Sequence, residues 1–149
     1  MMRTTIIAAA LALAITGPAA AEMMSLESPD SVGTTMDRLQ AAVENAGATV
    51  FARVNHGAGA ASVDMELADA ELLVFGNPML GTPALQDDLR AGLLLPLRVL
   101  VHAEGDGSVL IWEDPVVMFE GLEIAEDAPY IARMRGALGN LTKAAADGM

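Results

Sequence analysis

Histidine and arginine are the side chains of this sequence best suited to chemistry at neutral pH. His56 follows an alternating apolar segment, 49–55, and precedes a run of Gly and Ala, 57–61. Loops of small residues expose their neighbours, and an imidazole titrates near neutral pH, so His56 could bind a ligand or act as a general acid or base. Without an adjacent Asp or Ser it lacks the geometry of a catalytic base, and a structural role is the simpler interpretation. His102, within a second alternating segment, is interpreted as a solvated strand residue.

Arg98 is the candidate for recognising an anion. Its planar guanidinium matches the geometry of a carboxylate or a phosphate. The predicted hairpin places Glu113 on the same strand face, however, and an ion pair between the two side chains explains Arg98 without a ligand.

A turn and a helix start supply further polar groups. Asn77 lies within the turn 75–78, and Thr82 followed by Pro83 is typical of a helix N-cap and first helical residue. Free N–H groups at that helix start could bind an anion, although turn and cap formation already account for both residues. The candidate ligand-binding side chains are therefore His56, Asn77, Thr82, Arg98 and Glu113.

Motifs for most enzyme and metal chemistries are absent. The sequence has no cysteine, no Gly-x-Ser-x-Gly elbow, no glycine-rich phosphate loop ending in Lys and no His pair at metal-ligand spacing. Eight of the ten methionines remain in the expected mature chain, and in an exported protein they suggest copper(I) ligands. Met36 and Met134 fall on predicted helix stripes, however, so core packing is the simpler interpretation. We expect no metal and no cofactor, and we assign no catalytic residue.

The first 21 residues have the pattern of an export signal. Arg3 precedes an apolar run, 6–15, and 19–21 is an all-Ala cleavage site. The run is about half of the roughly 20 residues that span a bilayer, so an uncleaved anchor is the less favoured alternative. We expect cleavage after Ala21 and a periplasmic mature domain, 22–149.

The chain is strongly acidic, with 20 Asp and Glu against 8 Lys and Arg and a formal net charge of −12. Loss of Arg3 makes the mature charge −13. Nucleic-acid affinity depends on basic side chains that contact phosphates, so this balance excludes nucleic acid as a partner. The same sign disfavours anionic membrane surfaces, and we expect no membrane association after cleavage.

Hydrophobic periodicity predicts alternating strands and helices, with Val50, Ala52 and Val54 on one strand face. Hairpin-linked strands with helices near both ends indicate an α+β fold. We expect a single two-layer domain, with its core over 27–145 and helices packed on one face of a mainly antiparallel sheet. The predicted elements are a strand at 23–26, a helix from 29–31 to Gly47, strands at 49–55 and 72–75, a helix from Thr82 to near Gly92, strands at 95–103 and 108–113, a short helix at 116–120 and a helix from 127–129 onward.

The loop between the last two strands fixes their pairing. Asp106-Gly107 is a typical two-residue hairpin loop. The pairs that follow from this loop are His102 with Ile111 and Leu100 with Glu113, with Arg98 diagonal to Glu113 on the same face.

Several ordered motifs resemble one bacterial family. They are Phe75-Gly76-Asn77-Pro78, Gly81-Thr82-Pro83, Leu95-Pro96-Leu97-Arg98 and Trp112-Glu113-Asp114-Pro115, with His56 in a small-residue loop upstream. This pattern, over about 27–123, resembles the domain of unknown function 302 (DUF302) family. The resemblance implies a dimeric α+β domain whose biochemical activity is unassigned. The chain departs from the family pattern at Leu94, where the family has an acidic residue, and at Glu113, where it has Asn.

Three functions are consistent with these residues. The first is a non-enzymatic module that binds a small ligand or a protein partner, as a homodimer; the lack of a paired nucleophile and base favours it. The second is an enzyme on a small anionic substrate, with His56 as acid or base and with Asn77 and Arg98 orienting the substrate. The third is a copper carrier that uses Met and His. We expect His56 to be partly exposed, on a pocket rim shared with the turn 75–78.

Overall fold

Five strands and five α-helices form the part of the chain that the structure, a computed structural model, describes, residues 23–148. The predicted signal segment and its cleavage site after Ala21 lie outside these residues. None of the helices within 23–148 is long and apolar enough to cross a membrane. In chain order the elements are β1 (Met23–Ser28), α1 (Val32–Asn45), β2 (Thr49–Asn55), α2 (His56–Ala61), β3 (Ala70–Gly76), α3 (Pro78–Asp87), a 3-10 helix (Leu89–Leu93), β4 (Leu97–Glu104), β5 (Gly107–Glu113), α4 (Pro115–Met118) and α5 (Pro129–Asp147).

The strands form one antiparallel sheet in the order β1-β5-β4-β3-β2. Helices α1 and α5 pack against each other and against the sheet. The side chains on the face that meets these helices are buried in one core cluster, whereas the alternate side chains of the same strands do not belong to it. The predicted two-layer α+β fold, with its helices on one face, is confirmed. The core residues on this face of β3, β4 and β5 are Leu73, Phe75, Leu97, Val99, Val101 and Leu110.

Helices α1 and α5 carry the apolar stripes that the sequence predicts. Ser31 caps α1, its Oγ accepting a hydrogen bond from Thr34 N (3.4 Å). Gly47, at a φ of 76°, follows the end of the helix, as its position after the stripe predicts. The buried residues include Val32, Met36, Leu39 and Val43 on α1 and Ile131, Met134, Leu138, Leu141 and Ala145 on α5.

Strand β2 contains a bulge between Val50 and Ala52. An extra residue in one strand reverses the alternation beyond it. Val50 therefore faces the helices, whereas Ala52 and Val54 lie on the opposite face, and the prediction that all three share a face is wrong. The bulge leaves Phe51 unpaired and directs Arg53 toward the helices.

Arg53 joins β2 to its neighbours. Its Nε donates to Glu71 Oε2 on β3 (2.5 Å), and its Nη1 donates to Asp37 Oδ1 on α1 (2.6 Å). The hydrogen bond with Glu71 is the largest cause of the raised pKa of Arg53. Because Glu71 is nearly buried, its carboxylate loses hydration. The ion pair with Arg53 offsets the free energy that this desolvation costs.

The β4–β5 hairpin turns at Gly105-Asp106, because Glu104 pairs with Gly107. Gly105 has a φ of 55°. Glycine adopts that conformation without strain at the first loop position, whereas the predicted loop requires it of Asp106. The predicted two-residue loop, Asp106-Gly107, is therefore wrong by one position.

This loop moves the pairing partners on β5 by two residues and leaves the strand faces unchanged. Arg98 Nη2 donates to Glu113 Oε2 (3.3 Å), which confirms that the two side chains share a face. The predicted cross-strand pairs are wrong: His102 lies opposite Val109, and Leu100 lies opposite Ile111.

Three buried hydroxyl groups connect the edge strand β1 to β5 and α1. Thr35 Oγ1 lies 2.9 Å from Ser28 Oγ and 3.0 Å from Ser108 Oγ. Ser108 Oγ also donates to the carbonyl of Asp30 (2.8 Å). The strands approach closely beside these groups, since a Cβ on Gly107 would stand 2.3 Å from the Ser28 carbonyl oxygen.

Candidate ligand pocket

A pocket of about 390 Å³ opens on the helical side of the sheet, where β3 leads into α3. Its volume falls in the range of roughly 300–1,000 Å³ found for small-molecule sites. The walls come from the end of α1, the β2 bulge, β3, α3, the segment before β4 and α5. The large apolar side chains that line it are Phe51, Phe75, Leu80, Leu85, Leu95, Leu97, Met134 and Leu141.

The turn from β3 into α3 positions the polar edge of this pocket. Asn77 caps the helix, its Oδ1 accepting a hydrogen bond from Met79 N (2.9 Å), and Pro78 occupies the first turn. The carbonyl of Asn77 accepts from Leu80 N (2.9 Å). The helix therefore begins before Thr82, and the prediction that Thr82 is its N-cap is wrong.

Small residues leave the space that the pocket occupies. A Cβ on Gly81 would stand 3.7 Å from Leu95 Cδ1, and a Cβ on Gly92 would stand 3.3 Å from Leu85 Cδ2. All four of these residues line the pocket. A longer side chain at Gly81 would therefore extend among the lining residues.

The polarity of the lining indicates what the pocket can hold. Asn77 and Thr82 are its polar side chains, and no lining residue is charged. Within the region 23–148, no hydrogen bond uses Asn77 Nδ2 or Thr82 Oγ1. A buried ionised group would lose hydration here without a charged partner, whereas a neutral molecule with one or two polar atoms would find partners.

Tyr130 connects α5 to α3 next to the pocket. Its hydroxyl donates to Asp87 Oδ2 (2.6 Å), and its ring is buried. Burial, followed by the hydrogen bond with Asp87, raises the pKa of Tyr130 to about 12. The phenol therefore stays protonated at a pH where an unfolded tyrosine ionises.

The raised pKa of Tyr130 predicts that the folded protein loses stability at high pH. A tyrosine in an unfolded chain ionises near pH 10. The contribution of the protonated Tyr130 to the free energy of unfolding is therefore complete below about pH 10, and it is lost as the pH rises toward 12. Tyr130 is the single tyrosine of the chain, so absorbance at the phenolate band reports it alone. We expect a midpoint near 12 in the folded protein and a lower midpoint in Asp87→Asn, which stays above 10 because burial persists. A wild-type midpoint near 10 would show that the ring is solvated.

Asp88 holds the 3-10 helix that follows α3. Its carboxylate accepts hydrogen bonds from the side chain of Arg90 (Nη2 to Oδ2, 2.6 Å) and from the backbone N–H of Glu123 (3.0 Å). These bonds, with that of Arg90 the largest, hold the pKa of Asp88 well below its usual range. The carboxylate thereby fixes the segment that carries Gly92 and Leu95 into the pocket wall.

The other predicted site residues lie away from this pocket. Arg98 and Glu113 pair on the opposite face of the sheet. His56 is exposed at the start of α2. Thr49, at the other end of β2, pairs with Gly76, so His56 is about 20 Å along the strand from Asn77. The predicted rim shared by His56 and the turn 75–78 is therefore wrong, and His56, Asn77 and Arg98 do not converge.

The two methionines that the sequence places on helix stripes pack in the core, as predicted. Met36 and Met134 are buried in the core. In the described part of the chain, no three His, Asp or Glu side chains lie close enough to hold a metal ion.

Sequence reasoning identified Asn77 and Thr82 but missed the apolar walls. Phe51 enters the pocket from a bulge, and Met134 and Leu141 come from a helix far along the chain. The local signal that could have indicated a cavity is the presence of Gly81 and Gly92 on either side of the apolar Leu85.

Comparison with known proteins identifies the family. The model of the domain of unknown function DUF302 matches residues 24–144, so the chain belongs to this family. The fold is similar to the crystal structure of an uncharacterized conserved DUF302 protein from Bacillus stearothermophilus, with a TM-score of 0.67 and 15% sequence identity. That similarity covers 84% of this chain and 95% of the other.

Curated relatives are longer proteins. The chain is 39% identical, over 127 residues, to a protein of Brucella suis named fluoride-specific ion channel FluC 1, and equally to one of Brucella abortus with the same name. The similarity covers 83% of this chain but 50% and 47% of the two relatives. The chain therefore spans about half the length of the curated relatives it matches.

Proposed function

We propose that this DUF302 protein is a binding module whose pocket takes a neutral, largely apolar small molecule. The observation that carries the proposal is the lining, which is apolar except for Asn77 and Thr82. Apolar walls with a few placed polar groups are typical of small-molecule sites. The apolar part of the ligand fills the pocket, and one or two polar atoms meet Asn77 and Thr82.

The positions of the titratable residues favour binding over catalysis. The enzyme hypothesis needs His56 beside Asn77 and Arg98, yet His56 lies at the far end of β2 and Arg98 lies on the other sheet face. A general base must reach the proton that it removes, within hydrogen-bond distance or through one water. The anionic substrate of that hypothesis also finds no cation in the pocket lining.

Substitutions at Gly81 test the proposal. Gly81→Ala adds a Cβ at ordinary contact distance from Leu95, so we expect affinity for 1-octanol within about twofold of the wild type. Gly81→Leu places a branched side chain among the lining residues, and we expect it to weaken 1-octanol binding at least about tenfold, or about 1.4 kcal/mol. Calorimetric titration measures both affinities, and circular dichroism checks the fold.

Octanoate provides the matched ligand control, because it differs from 1-octanol in its charged head group. We expect it to bind more weakly at neutral pH, since the lining offers no cation. Unchanged 1-octanol affinity in Gly81→Leu would place binding elsewhere. Tighter binding of octanoate would contradict the preference for a neutral ligand.

A second candidate function is an accessory role in fluoride transport. The observation that favours it is the 39% identity to about half of each Brucella protein named as a fluoride-specific ion channel. Deletion of the gene should then increase the sensitivity of the cells to fluoride, and the wild-type gene should restore resistance. Unchanged fluoride sensitivity of the deletion strain would remove this candidate.

We also propose that the mature protein acts in the periplasm. The support is the short apolar run, 6–15, followed by the small residues 19–21. N-terminal sequencing of the exported protein should begin at Glu22, whereas a full-length, membrane-retained product would contradict the proposal.

A further inference from the structure

The side-chain amide of Asn77 uses its two polar atoms differently. Asn77 is partly buried where β3 leads into α3, and its Oδ1 accepts the hydrogen bond from Met79 N (2.9 Å) that caps the helix. This bond fixes which end of the amide meets the helix, and it leaves the two N–H donors of Nδ2 on the other side. The remaining hydrogen-bonding capacity of Asn77 is therefore mainly that of a donor.

The Nδ2 donors of Asn77 have no protein partner within residues 23–148. In this same region, every fully buried side-chain nitrogen or oxygen of a residue that is not itself exposed does have a partner. Nδ2 is therefore accessible and not enclosed. Because Asn77 lines the pocket, a ligand there can accept a hydrogen bond from Nδ2.

The backbone N–H groups at the start of α3 are already used. Met79 N donates to Asn77 Oδ1, and Leu80 N and Gly81 N both donate to the carbonyl of Asn77 (2.9 and 3.0 Å). Pro78, the first residue of the helix, has no N–H. An anion at this helix start would find no unused N–H among these residues, so Asn77 Nδ2 is the donor that this edge of the pocket provides.

The other polar side chain of the pocket does not select between ligand atoms. The hydroxyl of Thr82 both donates and accepts, so it can meet either kind of polar atom, whereas Asn77 Nδ2 can only donate. A neutral carbonyl oxygen accepts and carries no proton. A ligand hydroxyl also accepts, but its own proton needs a further partner in a largely apolar pocket, and leaving that proton unpaired costs free energy.

We propose that Asn77 Nδ2 donates to a carbonyl oxygen of the ligand, so that the pocket prefers neutral carbonyl compounds with an apolar chain, such as ketones, aldehydes or esters. The proposal rests on the proposed function, binding of a neutral apolar molecule in this pocket, and names the chemical class of that molecule. Asn77 is then a specificity-determining residue. Its Oδ1 holds the helix start, and its Nδ2 selects the ligand.

Asn77→Asp tests the proposal, because it keeps the capping oxygen and replaces the donors with a second acceptor. Asp and Asn are comparable N-caps, and a carboxylate is favoured at a helix N-terminus, so we expect the fold to persist. The probes are 2-octanone and 1-octanol, which have equal chain lengths and one oxygen each. In calorimetric titrations the affinity for 2-octanone should fall at least about tenfold in the variant. The affinity for 1-octanol, which can donate to the new carboxylate, should stay within about threefold.

Gln86→Glu is the matched control, because it makes the same amide-to-carboxylate change at an exposed position of α3 outside the pocket lining. We expect both affinities to stay within about twofold of the wild type. Equal losses of 2-octanone affinity in the two variants would indicate a general effect of charge and overturn the proposal. An unchanged ratio of the two affinities in Asn77→Asp would overturn it while leaving the proposed function intact. Absence of binding of both probes to the wild type would overturn the proposed function as well.

Side-chain amide spectra of the wild-type protein provide a second measurement, in case Asn77→Asp fails to fold. A hydrogen bond to the ketone should shift the Nδ2 proton resonances of Asn77 downfield on saturation with 2-octanone. The amide of Asn140, exposed on α5 outside the pocket lining, should not change. Unchanged Asn77 resonances at saturating 2-octanone would overturn the proposal.

Discussion

Replacing Phe75 with alanine is expected to lower the free energy of unfolding by about 3–5 kcal/mol. Phe75 is 2% exposed on the central part of the sheet, where it belongs to the core and also lines the pocket. Removing its ring deletes buried apolar surface and leaves a cavity that a β-strand cannot readily collapse. Urea denaturation measures this loss. The slope of the free energy of unfolding against urea concentration should be the same in the variant and the wild type.

Phe51→Ala is the matched control, because it makes the same change at the other phenylalanine of the pocket. Phe51 is 58% exposed at the β2 bulge, so we expect a loss of stability below about 1 kcal/mol. It should nevertheless weaken 1-octanol binding, because its ring forms part of the wall. Equal destabilisation by the two substitutions would show that Phe51 packs in the core.

Gly107→Ala is expected to lower the free energy of unfolding by about 1–3 kcal/mol. The added Cβ would stand 2.3 Å from the Ser28 carbonyl oxygen, a backbone atom that cannot rotate away. Strand β1 must then move outward, which stretches the hydrogen bonds among Ser28, Thr35 and Ser108. Hydroxyl groups that stay buried but lose their hydrogen-bond partners lower the free energy of unfolding further.

The control for this prediction is Gly139→Ala on α5. No atom lies within 4 Å of the Cβ that this substitution adds, and alanine is the better helix former. We expect Gly139→Ala to raise stability by about 0.5–1 kcal/mol. If thermal unfolding gave the same change for both variants, the close approach of β1 to Gly107 would be contradicted.

Most of the fold could be predicted because its main signals are local. The stripes of α1 and α5 repeat at helical spacing, and Ser31 and Gly47 mark the ends of α1. The loop of the β4–β5 hairpin was harder to predict, because Gly105 and Gly107 flank Asp106 and each allows a different two-residue loop. Contact between Gly107 and β1 helps to select the observed loop, and that contact is remote in sequence.

The candidate site was only partly predictable for a similar reason. Asn77-Pro78 and Thr82-Pro83 are equivalent helix-start signals five residues apart, and the sequence does not indicate which one is used. In the structure Asn77 caps the helix, and Pro83 lies inside it. The pocket walls come from six separate parts of the chain, so their meeting depends on tertiary packing, which local patterns do not encode.

The central claim is that a neutral apolar molecule enters the pocket, and methyl spectra of methionine-labelled protein test it most directly. Met134 lines the pocket, whereas Met36 is buried in the core outside it. On titration with 1-octanol we predict a saturable shift of the Met134 methyl resonance and little change at Met36. An unchanged Met134 resonance at saturating 1-octanol, or equal shifts at both methyl groups, would contradict the claim.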